Sequence, residues 1–364
     1  MFSKTVTLSL AAGLLFLAAG IFLPGVLSGI LGADGDTAEL TTVYLRVILC
    51  FAPCFIMNNT LLAFVRNDGN PRRSMAAMIA GSLSNIILDY VFMFPLSMGM
   101  FGAAFATGLA PVISMAVLWG HFLRKKHGLH FTLCRISLRN VREVAGPGVS
   151  SFITEVSSGV VLMVFNLVIL GLAGNTGVAA YGIVANMALV AVAVFTGIAQ
   201  GIQPLASQGC GLGDEAMLKQ VMWYGLVLSL ALAAVIYFAV NRRAEEIIAL
   251  FNSEGNKGLV SIAKRGIQIY FAGFLLAGVN IVTAAFLSAV AETKKAFGIS
   301  AVRGFLGIVP LALLVPKVMG LDGVWLSFVL AELAAACISA VHARRILGGA
   351  ARQGGSDLLK IGCQ

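Results

Sequence analysis

Long runs of apolar residues constrain the fold of this chain more than any other feature. We count ten such runs, and each is long enough to cross a hydrocarbon layer of about 30 Å as a helix. They cover residues 4–31, 41–65, 74–97, 101–123, 144–171, 178–205, 220–240, 262–291, 295–316 and 320–343. Of the 364 residues, 59% are hydrophobic and only 11% are charged, which excludes a soluble globular domain, a disordered chain and a disulfide scaffold. The sequence therefore predicts an all-α polytopic membrane protein.

Lysine and arginine are distributed unevenly over the segments between these runs. If Lys4 is cytoplasmic, the segments on its side hold 17 of the 25 Lys and Arg residues, and the outer segments hold six. Because basic residues concentrate in cytoplasmic loops, this bias predicts a multi-pass protein of the cell inner (cytoplasmic) membrane with both termini cytoplasmic. It also explains the net charge of +9, which on a soluble protein would indicate nucleic acid. We therefore expect the lipid bilayer, and no nucleic acid, as a partner.

An internal repeat relates the two halves of the chain. At an offset of 221 residues, Met98–Gly102 aligns with Met319–Gly323, and His121 aligns with His342. Such repeats mark many transporters. The offset includes six runs, an even number, so the two copies keep the same orientation in the membrane. The second copy has six runs and the first only four, so we expect two helices of a complete first copy to be absent.

The repeat and the basic segment between its copies predict four parts. We expect a truncated N-terminal lobe of four helices at 1–123 and a basic cytoplasmic linker at 124–143. A C-terminal lobe of six helices at 144–346 and a cytoplasmic tail at 347–364 complete the chain. The predicted architecture is thus two helical bundles related by the repeat.

Asp89 is the clearest ionisable residue inside an apolar run, and such residues are functional by default. Asn85 precedes it by four residues and therefore lies on the same helical face. A carboxylate beside an amide carbonyl suits a small hard cation or a proton. The alternative is a buried aspartate that is satisfied by hydrogen bonds between helices.

Other polar residues within the runs leave more than one interpretation open. Glu155 forms a polar stripe with Ser151 and Ser158, and is either functional or a protonated glutamate in a structural hydrogen bond. Arg303 lies in the first half of its predicted helix, where we expect its side chain to extend to the membrane interface. Glu332 is in the middle of a run, and the pattern does not decide between structure and function.

The chain carries no motif for enzymatic catalysis or for a bound cofactor. There is no Walker A, HExxH or GxSxG motif, and the glycine-rich Gly209–Gly213 follows no strand. The six cysteines form no CxxC pair and are expected to serve packing, so no metal site is expected from them. We therefore expect no enzyme and no cofactor, and the only metal to consider is Na⁺ at Asp89.

An ordered set of short motifs extends over nearly the whole chain. They are Tyr44-Leu45, Asn85–Asp89, Gly102–Thr107, Ala179–Ile183, Gly197–Leu205, Val302-Arg303, Pro310 and Gly323–Trp325. As a set they resemble the MATE (multidrug and toxic compound extrusion) antiporters, most closely the MepA/DinF-like bacterial branch. The resemblance implies a fold of two six-helix bundles around a central cavity, and the exchange of a cationic drug for Na⁺ or H⁺. The resemblance implies that the ten runs are helices three to twelve of that fold.

The resemblance also implies which residues form the sites. Four residues of the first lobe are implied to bind a cation or a proton: Tyr44, Asn85, Asp89 and Thr107. The acidic residue that the family carries on its first helix has no counterpart here. Glu155 and Asn280 form the implied second-lobe site for a cation or substrate, and another branch has aspartate where Asn280 stands, which weakens any Na⁺ site. Polar residues of the runs, taken by themselves, add candidates for the substrate cavity: Asn186, Gln200, Gln203, Arg303 and Glu332. Gln200 and Gln203 could equally form hydrogen bonds that hold helices together.

These features together predict a monomeric secondary antiporter that exports small cationic or amphipathic compounds in exchange for Na⁺ or H⁺. One alternative is a lipid-linked oligosaccharide flippase of the related superfamily. Such a protein should have a more cationic cavity, whereas only Arg46 and Arg303 lie within runs here. A second alternative is a membrane protein without transport of its own, such as a truncated fragment.

Overall fold

The computed structural model describes residues 2–30, 36–123, 128, 138–252 and 255–348, and their regular elements are all helices. The chain divides into two compact units, Met1–Gly146 and Pro147–Gln364. Unit 1 contains α1 (Phe2–Phe22), α2 (Pro24–Ile30), α3 (Asp36–Cys50), α4 (Ala52–Asn67), α5 (Pro71–Met93) and α6 (Gly99–Phe122). From α7 (Leu138–Leu212) onward, unit 2 contains α8 (Glu215–Arg242), α9 (Ala244–Phe251), α10 (Lys257–Tyr270), α11 (Phe274–Ala289), α12 (Thr293–Arg303), α13 (Phe305–Leu314) and α14 (Pro316–Leu347).

Eight segments of the described residues are helical, long and apolar enough to cross a membrane. A ninth is the pair Ala38–Cys50 and Ala52–Asn67, which bends by 48°. The predicted spans 144–171 and 178–205 both fall on α7, whose apolar part would be about 87 Å long as one straight helix. Gly174, with φ 59° and ψ −158°, breaks α7 between them. The ten predicted runs thus lie on these helices, and the prediction of an all-α polytopic membrane protein is confirmed.

Polar caps fix where several helices begin. Asn70 accepts a hydrogen bond from the backbone N–H of Arg73, and Pro71 opens α5 with a preset φ. Asp214 caps α8 in the same way through the N–H of Met217. These caps satisfy backbone donors that have no partner within the helix.

The first glycine of the repeated motif has the same positive φ in both units. Gly99 and Gly320 both have φ of +56°, in the left-handed region that favours glycine. Gly102 and Gly323 follow three residues later, and neither has room for a side chain. A Cβ on Gly102 would lie 2.9 Å from Met98 Cβ, and one on Gly323 would lie 2.8 Å from the Val315 carbonyl carbon. The alignment at offset 221 therefore reflects one shared turn.

The core of unit 2 is rich in aromatic side chains. The ring of Tyr270 stacks on Phe328 with centroids 4.1 Å apart, and Tyr181 lies 6.0 Å from Trp325. On the outside of the helices in both units, large apolar side chains are exposed; Phe22 of unit 1, for example, is 78% exposed. This inversion of the soluble pattern is what a lipid solvent permits.

The ends of the helices also carry charged contacts. On the predicted outer side, α9 and α10 are joined by an ion pair in which Lys264 donates a hydrogen bond to Glu245. That hydrogen bond, and then the charge of Lys264, lower the pKa of Glu245.

The predicted linker and tail are described only in part. Residues 124–127 and 129–137 of the predicted linker lie outside the described residues, as do 349–364, and residues 138–143 already belong to α7.

Candidate functional site

Asn85 and Thr107 meet across the interface between α5 and α6 in unit 1. The side-chain amide of Asn85 donates to the hydroxyl oxygen of Thr107 at 3.5 Å. Thr107 in turn donates to the backbone carbonyl of Ala103 at 2.9 Å, one turn earlier in its own helix. Since Asn85 bonds through its nitrogen, its carbonyl oxygen remains as an acceptor.

Asp89 lies one turn after Asn85 on α5, and its residue is half-buried. Its Oδ1 atom is buried and has no hydrogen-bond partner among the described residues. An unsatisfied buried acceptor costs about 1–3 kcal/mol, and more when it is charged. A proton or a small cation on this oxygen would remove that cost. The carboxylate, amide and hydroxyl oxygens of this helix pair are hard ligands of the kind that Na⁺ accepts.

Tyr44, the fourth residue implied for this site, is half-buried on α3. It precedes Phe51, where α3 and α4 are separated, by seven residues. No hydrogen bond joins it to Asn85, Asp89 or Thr107 in the part of the chain that the structure describes. Three of the four residues therefore lie on the α5–α6 pair, and Tyr44 belongs to a neighbouring helix.

Unit 2 contains a buried ion pair between Arg303 and Glu332. The Nε of Arg303 donates to both carboxylate oxygens of Glu332 at 3.0 Å, and its Nη2 lies 2.9 Å from Oε1. The side chain of Glu332 is 1% exposed and that of Arg303 is 20% exposed. Two hydrogen bonds from one guanidinium give a geometry that is both strong and specific.

Asn280 and Ser339 complete this network from α11 and α14. The amide of Asn280 donates to Glu332 Oε2 at 2.7 Å and to the Glu332 backbone carbonyl at 2.9 Å. The hydroxyl of Ser339 donates to the Asn280 carbonyl oxygen at 2.8 Å. Asn280 and Ser339 are both fully buried. The network thus ties α11, α12 and α14 together in the interior of unit 2.

The prediction that Arg303 extends to the membrane interface is wrong. Arg303 is the last residue of α12, because Gly304 leaves the helical region with φ −99° and ψ −121° before α13 begins. At this break the side chain of Arg303 contacts Glu332 on α14 and is only 20% exposed. A cation at a helix C-terminus is also favoured by the helix dipole.

The structure groups the predicted second-lobe residues differently from the sequence. Asn280, expected beside Glu155, is bonded to Glu332 and Ser339. Glu155 itself is exposed on α7, and Ser151 lies outside the residues whose side chains are described. Ser339 was missed, although its spacing of seven residues from Glu332 places both on one helical face.

The remaining cavity candidates lie along α7. Asn186 is exposed, and its amide donates to the Gly182 carbonyl of its own helix at 2.8 Å. Gln200 and Gln203 are half-buried near the end of the same helix. All three residues lie on one helix, and contact of their side chains with a substrate stays a prediction.

A second polar cluster in unit 1 was not predicted as a cluster. The Nε2 atom of His121, a residue only 4% exposed, lies 2.8 Å from Asp68 Oδ2. Its Nδ1 atom lies 3.2 Å from the side-chain nitrogen of Asn70, and the Gly128 N–H donates to Asp68. The cluster joins the α4–α5 turn to the end of α6. In the sequence, the alignment of His121 with His342 marked the histidine of this cluster. It did not indicate that Asp68 and Asn70 contact His121.

The MatE family model matches residues 1–91 and 150–313, more than half of the chain. Multidrug export protein MepA of Staphylococcus saprophyticus is 26% identical over 325 residues, which cover 89% of this chain and 71% of that protein. The protein of the same name from Staphylococcus aureus strain N315 is 26% identical over 326 residues, which also cover 89% of this chain and 71% of that protein.

Solved structures of membrane transporters share the fold. A MOP superfamily transporter from Pyrococcus furiosus has a TM-score of 0.88 at 22% identity, covering 96% of this chain and 78% of that one. A MATE crystallised in complex with MaL6 also has a TM-score of 0.88 at 22% identity, and the match covers 96% of this chain and 79% of that one. The family match confirms the resemblance found in the motifs, and it places the chain among transporters and not among enzymes. The chain belongs to the MATE family.

Proposed function

We propose that this chain is a secondary antiporter that exports small cationic or amphipathic compounds in exchange for H⁺ or Na⁺. The MepA relatives, named multidrug export proteins, support the export of such compounds. The single observation that carries the exchange is the buried, unpartnered Oδ1 of Asp89. It is a group whose free energy depends directly on whether an ion is bound.

Binding of an ion at Asp89 changes the charge of the α5–α6 pair. With the ion bound the site is neutral, and without it a carboxylate remains in a poorly solvated place. Substrate export is coupled to the ion only if the two alternating-access states of the protein bind that ion with different affinity. The ion binds at Asp89 and the substrate binds elsewhere in the protein, and exchange in opposite directions follows if the two favour opposite alternating-access states.

In this proposal the chain acts as a monomer in the cytoplasmic membrane with both termini inside, and needs no cofactor. A flippase for lipid-linked oligosaccharides would need free cationic groups for the phosphates of its substrate. One of the two arginines within the predicted runs, Arg303, is already paired with Glu332. That pairing favours the antiporter over the flippase.

Reconstitution tests the proposal directly. The purified chain is placed in liposomes, and a pH or Na⁺ gradient is imposed across the membrane. We expect the gradient to drive movement of a fluorescent amphipathic cation such as ethidium, and an ionophore that dissipates the gradient to stop it. Liposomes without protein are the control for leakage. Folded, reconstituted protein that moves no amphipathic cation under either gradient contradicts the proposal.

A further inference from the structure

Two carboxylates of the candidate sites, Asp89 and Glu332, are in opposite electrostatic situations. In unit 1, Oδ1 of Asp89 is buried without a hydrogen-bond partner among the described residues. In unit 2, both oxygens of Glu332 accept hydrogen bonds from Arg303, and Oε2 accepts one more from Asn280. Glu332 therefore already has its cation, and that cation is covalently part of the chain.

The arginine is held where a mobile ion would otherwise sit. Its guanidinium remains charged throughout the range in which proteins are stable. Its backbone is fixed at the end of α12 by the break at Gly304. Asn280 turns its amide nitrogen to Glu332 and its carbonyl oxygen to the buried Ser339 hydroxyl. If the Asn280 amide rotates by half a turn, its oxygen lies beside the carboxylate and suits a small hard cation. A second cation at Glu332 would meet the guanidinium at close range and be repelled.

We propose that Arg303 is a tethered cation that occupies the coupling-ion position of Glu332, so that unit 2 exchanges no ion and Asp89 alone carries the coupling ion. The inference rests on the proposed antiport function and names the residue that limits its ion sites to one. Arg303 acts here as a specificity-determining residue. Removal of its side chain should uncover an ion site formed by Glu332, Asn280 and Ser339.

The surroundings of Glu332 support this assignment. Among the described residues, Arg303 of α12 is the charged group that contacts its carboxylate. The Tyr270 ring stacks on Phe328, one turn before Glu332 on α14. A tyrosine hydroxyl stays neutral near pH 7, so Arg303 is the group that sets the charge of this site.

The experiment measures ion-dependent stability in a chain that lacks the first site. In an Asp89→Asn background in detergent, the melting temperature should not respond to Na⁺ at constant ionic strength, and its change between about pH 6 and 8, where histidine titrates, serves as the baseline. Adding Arg303→Met should create a rise in melting temperature with Na⁺ or with protons. A further Glu332→Gln should abolish that response. Arg46→Met in the same background, a change at an exposed arginine of α3, is the matched control and should create no response.

Each outcome decides one claim. If Asp89→Asn/Arg303→Met is folded but gains no response to Na⁺ or pH, the tethered-cation assignment is overturned. Since removing one partner of a buried pair is strongly destabilising, that variant could fail to fold. In that case Glu332→Gln in the otherwise unchanged chain decides: the ion dependence of transport should remain that of the parent, and a changed dependence overturns the inference. Unchanged ion dependence in Asp89→Asn alone would instead contradict the proposed function, so the two failures are distinguishable.

Discussion

Gly99 and Gly320, separated by 221 residues, have the same left-handed φ of +56° at the start of the repeated helical segments. No atom lies within 4 Å of a Cβ built on either residue. The requirement for glycine at these two positions is therefore one of backbone conformation, not of space.

Alanine at either position should destabilise the protein. Holding a non-glycine residue in such a sparsely populated positive-φ region costs about 1–3 kcal/mol, so Gly99→Ala and Gly320→Ala should each lower the melting temperature in detergent. Gly197→Ala is the control, because Gly197 is helical and equally uncrowded, and alanine is favoured in a helix by about 0.5–1 kcal/mol. A loss in Gly197→Ala as large as in Gly320→Ala would show that the repeated turn is not the cause.

The contact between His121 and Asp68 should couple the two residues energetically. A hydrogen bond that involves a charged group contributes about 1.5–3 kcal/mol, so His121→Ala and Asp68→Ala should each be destabilising. The double variant should lose less than the sum of the two single losses. A double-mutant cycle by denaturant unfolding in detergent measures this difference. The exposed pair of Arg243 and Glu246, 4.0 Å apart, is the matched control and should show coupling near zero.

Orientation in the membrane follows from the distribution of basic residues. In a chain whose native cysteines are replaced, Ser97→Cys in the α5–α6 turn should react with an impermeant maleimide from outside intact cells. Ser207→Cys near the end of α7 should react only after permeabilisation, since the predicted orientation places it inside. Both residues are exposed. The reverse pattern of labelling would show that the termini lie outside.

Much of the fold could be predicted because one solvent dominates it. In lipid every backbone polar group must be satisfied within a helix, so apolar length alone located the spans. The repeat predicted the shared turn, since glycine was aligned with glycine where the left-handed conformation occurs. The spacing of Asn85 and Asp89 likewise placed them on one face of α5.

The interior of unit 2 could not be predicted in the same way. The chain contains 41 glycines, and nothing local distinguishes Gly304, which separates α12 from α13, from the glycines that stay helical. Without that break the orientation of Arg303 was assigned wrongly. Arg303 and Glu332 are 29 residues apart in sequence and lie on different helices. Their pairing depends on how these helices pack, which the periodicity of the sequence does not encode.

The coupling role of Asp89 is the central claim, and one comparison in proteoliposomes tests it most directly. Asp89→Asn keeps the size of the side chain but removes the titratable proton and the charge. Glu155→Gln makes the same change at the exposed second-lobe carboxylate, and Glu246→Gln, 74% exposed on α9, controls for loss of a carboxylate as such. Ion-driven movement of a fluorescent cation and equilibrium binding of that cation are measured for each protein. We expect Asp89→Asn to reduce ion-driven movement to the level of protein-free liposomes while binding persists, and the other two to transport normally. Normal ion-driven transport by Asp89→Asn, or its loss in Glu155→Gln alone, would contradict the account.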